Sequence, residues 1–377
     1  ALARLAERAY LYERGDSTGG LSAGYWDASM GGLLAGERLL SDLQALDRRF
    51  LETNHRELEI DQPFALSQLD PEALWQLRQT GACQFTVPEA AFDVTYPGHW
   101  KRRLRAVRLT IPCVTGPYVN VGATLQLVSS QVRATAATDP VEVPLAHGTT
   151  IATSTAQADG GVFELSFRDE RYLPFEGQGA ISTWRLELPS TVRAFDYGSI
   201  SDVVVSLAYS AKADDTRRML LEDGAGAAGS LLRHYSDSET TRIVSLREEL
   251  GVSFSRLLRG AVGAPVSIEL TDDLLAPVFR GRATTLESAR VAVRLAKGVE
   301  GVGTLAFRLD GSLASGFDTE ASLGGLLTAS VTAVAAPTWT GAHTLTVDNA
   351  GALGGDPDAL DPAKVLDVLL VTTVRLA

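Results

Sequence analysis

Gly20-Leu-Ser22-Ala-Gly24 has the G-x-S-x-G spacing that lifts a serine hydroxyl out of a sheet for nucleophilic attack. That chemistry needs a buried strand before the serine and a helix after it. Here Asp16-Ser-Thr-Gly-Gly20 and a helical pattern precede Ser22, and no downstream His and Asp stand out as partners, so a loop between helices is expected. Gly224-Ala-Gly226-Ala-Ala-Gly229 has the G-x-G-x-x-G spacing of a pyrophosphate cradle, yet Arg217 to Asp223 is a poor buried strand, and an interdomain linker is the better reading. Arg14-Gly-Asp16 matches a tripeptide read by some adhesion receptors, although Gly15 is more simply a helix stop. His55, His99, His147, His234 and His343 show no metal-ligand spacing. Asp169 and Glu170 could be imagined as a glycosidase pair, yet adjacent strand residues point to opposite faces and arginines flank both. No catalytic set, metal site or cofactor is therefore expected, and an enzyme is the least favoured class.

The charges at Asp169 and Glu170 belong to a longer pattern. Phe163, Leu165 and Phe167 alternate with polar residues, as do Trp184, Leu186 and Leu188, which is the period of half-buried strands. Between them, Arg168-Asp-Glu-Arg171 carries four charges of zero sum and runs into Tyr172, Phe175 and Gly177. Such a corner suits docking or an ion-pair cluster within the domain. Tyr96-Pro-Gly-His-Trp100-Lys-Arg102-Arg-Leu-Arg105-Ala-Val-Arg108 is the one basic patch, read first as a solvated strand face and next as a contact for an acidic protein surface.

The elements that must hold these residues fall into four spans. Residues 1–60 read as helical, with Tyr25 to His55 as one long apolar-faced helix of about 30 residues, suited to a bundle, a stalk or an oligomer. Asp70, Pro71 and Gly81 mark the cap, first position and stop of a short helix. Residues 61–212 then read as a β-sandwich, from short strands without intervening helices. Residues 213–240 form a linker containing a short helix capped near Asp214, and 241–377 read as a second sandwich-like domain. The fold class expected is mainly β with N-terminal helices and two antiparallel sandwiches. A net charge of −12 argues against a nucleic-acid binder. Cys83 and Cys113 are expected as buried free thiols. The helical pattern already under way at Ala1 suggests a piece of a longer protein.

Seven segments together resemble one family. They are Gly32 to Leu40, Asn54 to Glu59, Leu69-Asp-Pro71, Phe92 to Gly98, Ile111 to Tyr118, Phe163 to Gly177 and Phe195 to Asp202. In order and spacing they are similar to the C-terminal region of the A subunit of insecticidal Tc (ABC) toxin complexes, across residues 20 to about 210. The resemblance implies a secreted homopentameric subunit that reaches the host membrane through its full-length channel. It implies that this region docks the B–C cocoon at the channel entrance, with no active site. On that basis Trp100, Arg102, Arg168, Asp169, Glu170, Arg171, Tyr172 and Phe175 are candidates for the B-subunit or subunit interface. Residues after about 218 exceed the resemblance. A carbohydrate-binding sandwich is the alternative, with Trp339 as its candidate sugar-stacking residue.

Overall fold

Gly32 decides where the long N-terminal helix starts. Its φ of 67° is left-handed, a conformation natural to glycine and strained for other residues. Helix α2 runs behind it from Leu33 to Glu52, after α1 at Leu2–Arg14. The expected start at Tyr25 is corrected: Gly24 also has positive φ, at 76°, and Tyr25 lies in a bend. The shortened helix spans about 30 Å. This computed structural model describes residues 2–14, 20–22, 24–25, 32–52, 57–116, 119–136, 138–145, 150–157, 162–166, 175–189, 193–222, 239–275, 279–299, 301–333, 338–355 and 359–376.

The first sandwich is built from β1 (Leu58–Ala65), α3 (Leu66–Leu69), α4 (Pro71–Thr80), β2 (Ala82–Val87), α5 (Glu89–Thr95), β3 (His99–Pro112) and β4 (Asn120–Arg133). It is completed by β5 (Pro140–Glu142), β6 (Thr150–Gln157), β7 (Val162–Ser166), β8 (Ile181–Glu187) and β9 (Val204–Ala213). One sheet has the order β1-β9-β3-β7 and the other β2-β8-β4-β5, with β6 also on β4, all antiparallel. The alternation predicted for these strands places Leu109, Ile111, Leu207 and Tyr209 of one sheet in a common core with Phe85, Leu125, Trp184 and Leu186 of the other. The α4 signals act as expected: the Asp70 carboxylate accepts from Ala73 N at 3.0 Å, and Gly81 closes the helix at φ 86°.

After α6 (Asp215–Glu222) come β10 (Thr240–Ser245), α7 (Gly251–Arg259), β11 (Pro265–Leu270), β12 (Thr284–Leu295), β13 (Ala306–Leu309), β14 (Ser312–Ser315) and β15 (Asp318–Glu320). Then follow β16 (Leu326–Ser330), β17 (Gly341–Asn349), β18 (Gly354–Gly355), β19 (Ala359–Leu360) and β20 (Val365–Leu376). Sheets β10-β20-β12-β16-β15 and β11-β17-β13-β14 enclose a second core around Phe307, Ile268, Val291 and Leu370. The mainly β class with N-terminal helices therefore holds.

Candidate partner interface

The basic segment on β3 is satisfied from within. Register shifts break its pairing with β9 between Trp100 and Arg103 and again between Leu104 and Ala106, and Lys101 sits at φ 53°. A bulge of this kind re-aims side chains, so Trp100, Lys101 and Arg102 are all buried in succession, which simple alternation does not foresee. Arg102 points inward at α5. Its guanidinium donates to the Asp93 carboxylate, donates to the Tyr96 carbonyl at 3.2 Å, and lies 5.4 Å over the Phe92 ring.

Glu89 gathers the rest of this network. Arg133 Nε and Nη2 donate to its two oxygens at 2.9 and 2.6 Å, and Arg217 Nη2 of α6 donates at 3.0 Å while also reaching Asp93 at 3.3 Å. Burial by itself would push the Glu89 carboxyl up, but the Arg133 hydrogen bonds and the charges of Arg217, Arg133 and Arg102 together hold it below the usual carboxylate value. Three guanidiniums on two carboxylates thus join α5, β3, β4 and α6.

Farther along β3 the cations face outward. Arg105 pairs with Glu59 and Arg108 with Asp61, while Lys212 of β9 stands 4.0 Å from Glu57. The Arg105 and Arg108 pairs cross β9 where its outward positions are Ser206, Ala208 and Ser210, small enough for long side chains to meet above them. The resulting ladder alternates in sign, so it offers no field of one sign for a nucleic-acid backbone. Sequence reading missed the acidic half because β1 was not recognised as a strand. Its alternation of Glu59 and Asp61 with Ile60 and the buried Gln62 was the available signal.

The charged corner joins the two sheets of the sandwich: β7 pairs with β3 in one, and β8 pairs with β2 and β4 in the other. Arg168, Asp169, Glu170, Arg171 and Tyr172 lie outside the described residues. The corner's return is well anchored. Phe175 is buried, edge-on to Trp184 at 4.9 Å. Gly177 N donates to the Leu104 carbonyl at 2.9 Å, Leu104 N to Gln178 O at 2.7 Å, and Ala180 N to Arg102 O at 3.0 Å. Beside this anchor a groove of about 300 Å³ is lined by Glu57, Glu59, Arg103, Arg105, Glu176 and Ser210, among others. Of the eight proposed contact residues, Trp100, Arg102 and Phe175 are thus interior side chains, drawn in by the bulge and the core; a partner on this surface would meet Glu176, Arg103 and Arg105 instead.

The other motifs resolve locally where they are described. Ser22 Oγ donates to the Asp42 carboxylate at 3.2 Å, an acceptor that Tyr25 shares at 2.6 Å, and Leu21 N donates to Glu7 at 2.7 Å. These bonds staple α1 to α2 and present no nucleophile with a histidine base. His99 bonds the Pro97 carbonyl at 3.2 Å; His343 bonds Asp310 at 2.7 Å and the Trp339 carbonyl at 2.9 Å. Gly15, Asp16, the glycines 224–229, His55, His147 and His234 lie outside the described residues. Cys83 and Cys113 are free and buried, and burial pushes the Cys83 thiol up to about 12. Trp339 is fully buried with its indole N–H donating to Thr372 at 2.9 Å, so it offers no stacking face to a sugar. Among the described residues, no group of three or more His, Cys, Asp and Glu is placed to hold a metal ion, and no helix is long and apolar enough to cross a membrane.

Fold and site together define an antiparallel β-sandwich protein with a helical stem, in which the chemistry-bearing side chains traced above among the described residues are engaged in internal contacts. Residues 1–211 match the family model of the Tc toxin complex TcA C-terminal TcB-binding domain, and the chain belongs to that family. It is 33% identical over 226 residues to toxin subunit YenA2 of Yersinia entomophaga, a match covering 55% of this chain and 16% of that relative. Among solved structures it is similar to Morganella morganii TcdA4, at 21% identity and TM-score 0.35 over 55% of this chain and 10% of that one. It is likewise similar to Yersinia pseudotuberculosis TcaA-TcaB, at 22% identity and TM-score 0.34 over 56% of this chain and 13% of that one. The chain thus spans about one sixth of the length of the curated relative, from its 16% coverage.

Proposed function

We propose that this chain is the C-terminal part of a Tc toxin A subunit, in which the first sandwich receives the B subunit and α1 and α2 join a helical bundle of identical subunits, a pentamer. In this reading the B–C cocoon docks at the entrance of a channel supplied by the full-length protein. The secreted complex meets the host membrane through that channel, and this region does no catalysis. The observation that carries the reading is the family match over residues 1–211, which contain both the stem and the sandwich. It is supported by the apolar side chains left exposed on α2, Leu33, Leu34, Leu40 and Leu51, which a lone helix pair has no means to cover.

The partner contact is proposed at the corner from Arg168 to Tyr172 and the adjoining groove at Glu176, Arg103 and Arg105. The division into residues 1–60, 61–212, 213–240 and 241–377 is proposed on the same footing. Equilibrium sedimentation of the chain extended with its upstream helices is expected to show an oligomer, and a strictly monomeric species would sink the subunit reading. Arg168→Ala combined with Arg171→Ala is expected to weaken binding of purified B–C cocoon about tenfold, by loss of charge-assisted contacts. If oligomer and complex form unchanged, the corner is structural only.

A further inference from the structure

The two sandwiches meet on a seam centred on α4. Trp75 of α4 is 4% exposed and packs with Ile243 of β10, Ala292 of β12, and Leu369 and Val371 of β20. Those side chains come from the outer face of a sheet whose inner face, through Val244, Val291, Val368 and Leu370, already forms the second core. A sheet with its outer face in solvent would carry polar residues there. Here β20 reads Val368-Leu-Leu-Val371, apolar on both faces, as a strand covered from both sides must. Ion pairs rim the apolar centre: Arg290 Nη2 donates to Glu72 at 2.7 Å and its Nη1 stands 3.6 Å from Glu320, while Arg78 stands 3.6 Å from Glu248. Arg78 also donates to the Ser201 carbonyl at 2.9 Å. The approach is close enough to require glycine: a β-carbon on Gly324, at φ 67°, would fall 2.6 Å from Gln79 Cβ.

An apolar centre anchored by a tryptophan and rimmed by charge is the anatomy of a protein–protein interface. Here it lies within one chain. The family match ends at residue 211, yet the surface gripped by the later residues is α4, inside that match. We infer that residues 239–376 are a docked partner bound in cis to α4, through an interface that holds without the connecting chain. The occupant is an antiparallel sheet presenting an Ile/Leu/Val stripe beside Arg290, and while it is seated α4 is closed to any other protein.

The test keeps the full chain and inserts a protease recognition sequence after Ala228. After cleavage, the wild-type halves are expected to co-elute at about 1 μM, which requires a Kd in that range or tighter. Trp75→Ala is expected to separate them. Because that substitution also removes the ring under the Arg78 guanidinium within α4, Arg290→Glu provides a second variant, placing like charges against Glu72 and Glu320. It is expected to raise the Kd of the cut halves about tenfold, with Glu72→Arg in the same chain restoring the wild-type value. Wild-type halves that separate at 1 μM would overturn the inference, as would an Arg290→Glu protein whose cut halves bind as tightly as wild type. The outcome is independent of whether the chain binds a B subunit.

Discussion

Gly179 has no room for a β-carbon. Built at this position, it would lie 2.0 Å from the Gln131 carbonyl oxygen, a backbone atom of β4 that cannot swing aside. The residue bridges to Arg103 and donates its N–H to Ser130 Oγ at 3.3 Å, so the return of the charged corner passes tightly between β3 and β4. Gly179→Ala is expected to lose about 3 kcal/mol or more of stability in urea denaturation, because backbone must move to admit the methyl. A loss under about 1 kcal/mol would mean that the corner is looser than its hydrogen bonds indicate. In sequence, Gly177 and Gly179 stand two positions apart with nothing local to distinguish them. Which of the two glycines is sterically obligatory depends on a strand about fifty residues away, and no local pattern encodes that.

The elements of the first sandwich are tied together by one carboxylate. Glu89 sits at the first position of α5 and receives guanidiniums from β4 and α6, with Arg102 of β3 beside it. Its folded pKa is depressed, so its contribution is fully present above the ordinary carboxylate value of about 4.3 and is lost as pH falls through the lower folded value. Glu89→Gln is expected to cost about 2–4 kcal/mol near neutral pH, since it leaves buried arginines short of charge. Stability measured by denaturation from pH 7 down to about pH 3 should therefore fall less steeply in the variant than in the wild type. An unchanged slope would show that the network is held by Asp93 rather than Glu89.

Much at this scale was legible. The alternation in β2, β4, β8 and β9 and the Asp70, Pro71, Gly81 signals of α4 are local, because side-chain direction follows from the period of the backbone itself. Glu89, Asp93, Arg133 and Arg217 were not legible as a group. They lie up to 128 residues apart, and only folding brings them together. The basic run on β3 misled for a related reason: its bulge turns Lys101 and Arg102 inward, and the register that makes the bulge is set by β9.

For the molecule as a whole, the seam should make the two sandwiches unfold as one. Calorimetry of the wild type is expected to show a single transition. Trp75→Ala removes the central side chain of the seam, a change costing about 3–5 kcal/mol where the cavity cannot collapse, and should split the trace into two transitions. Two transitions already in the wild type would mean that the cores unfold independently despite the contact. Composition, strand alternation, helix caps and the order of seven family-like segments determined the fold class and the family, because each is carried by neighbouring residues or by their sequence order. The tertiary structure alone decided that the basic strand is neutralised from within, that Trp100, Arg102 and Phe175 are interior, that Trp339 is sealed, and that α4 carries the second sandwich. Those outcomes rest on distances between residues remote in sequence, and such distances come into being only when the chain closes on itself.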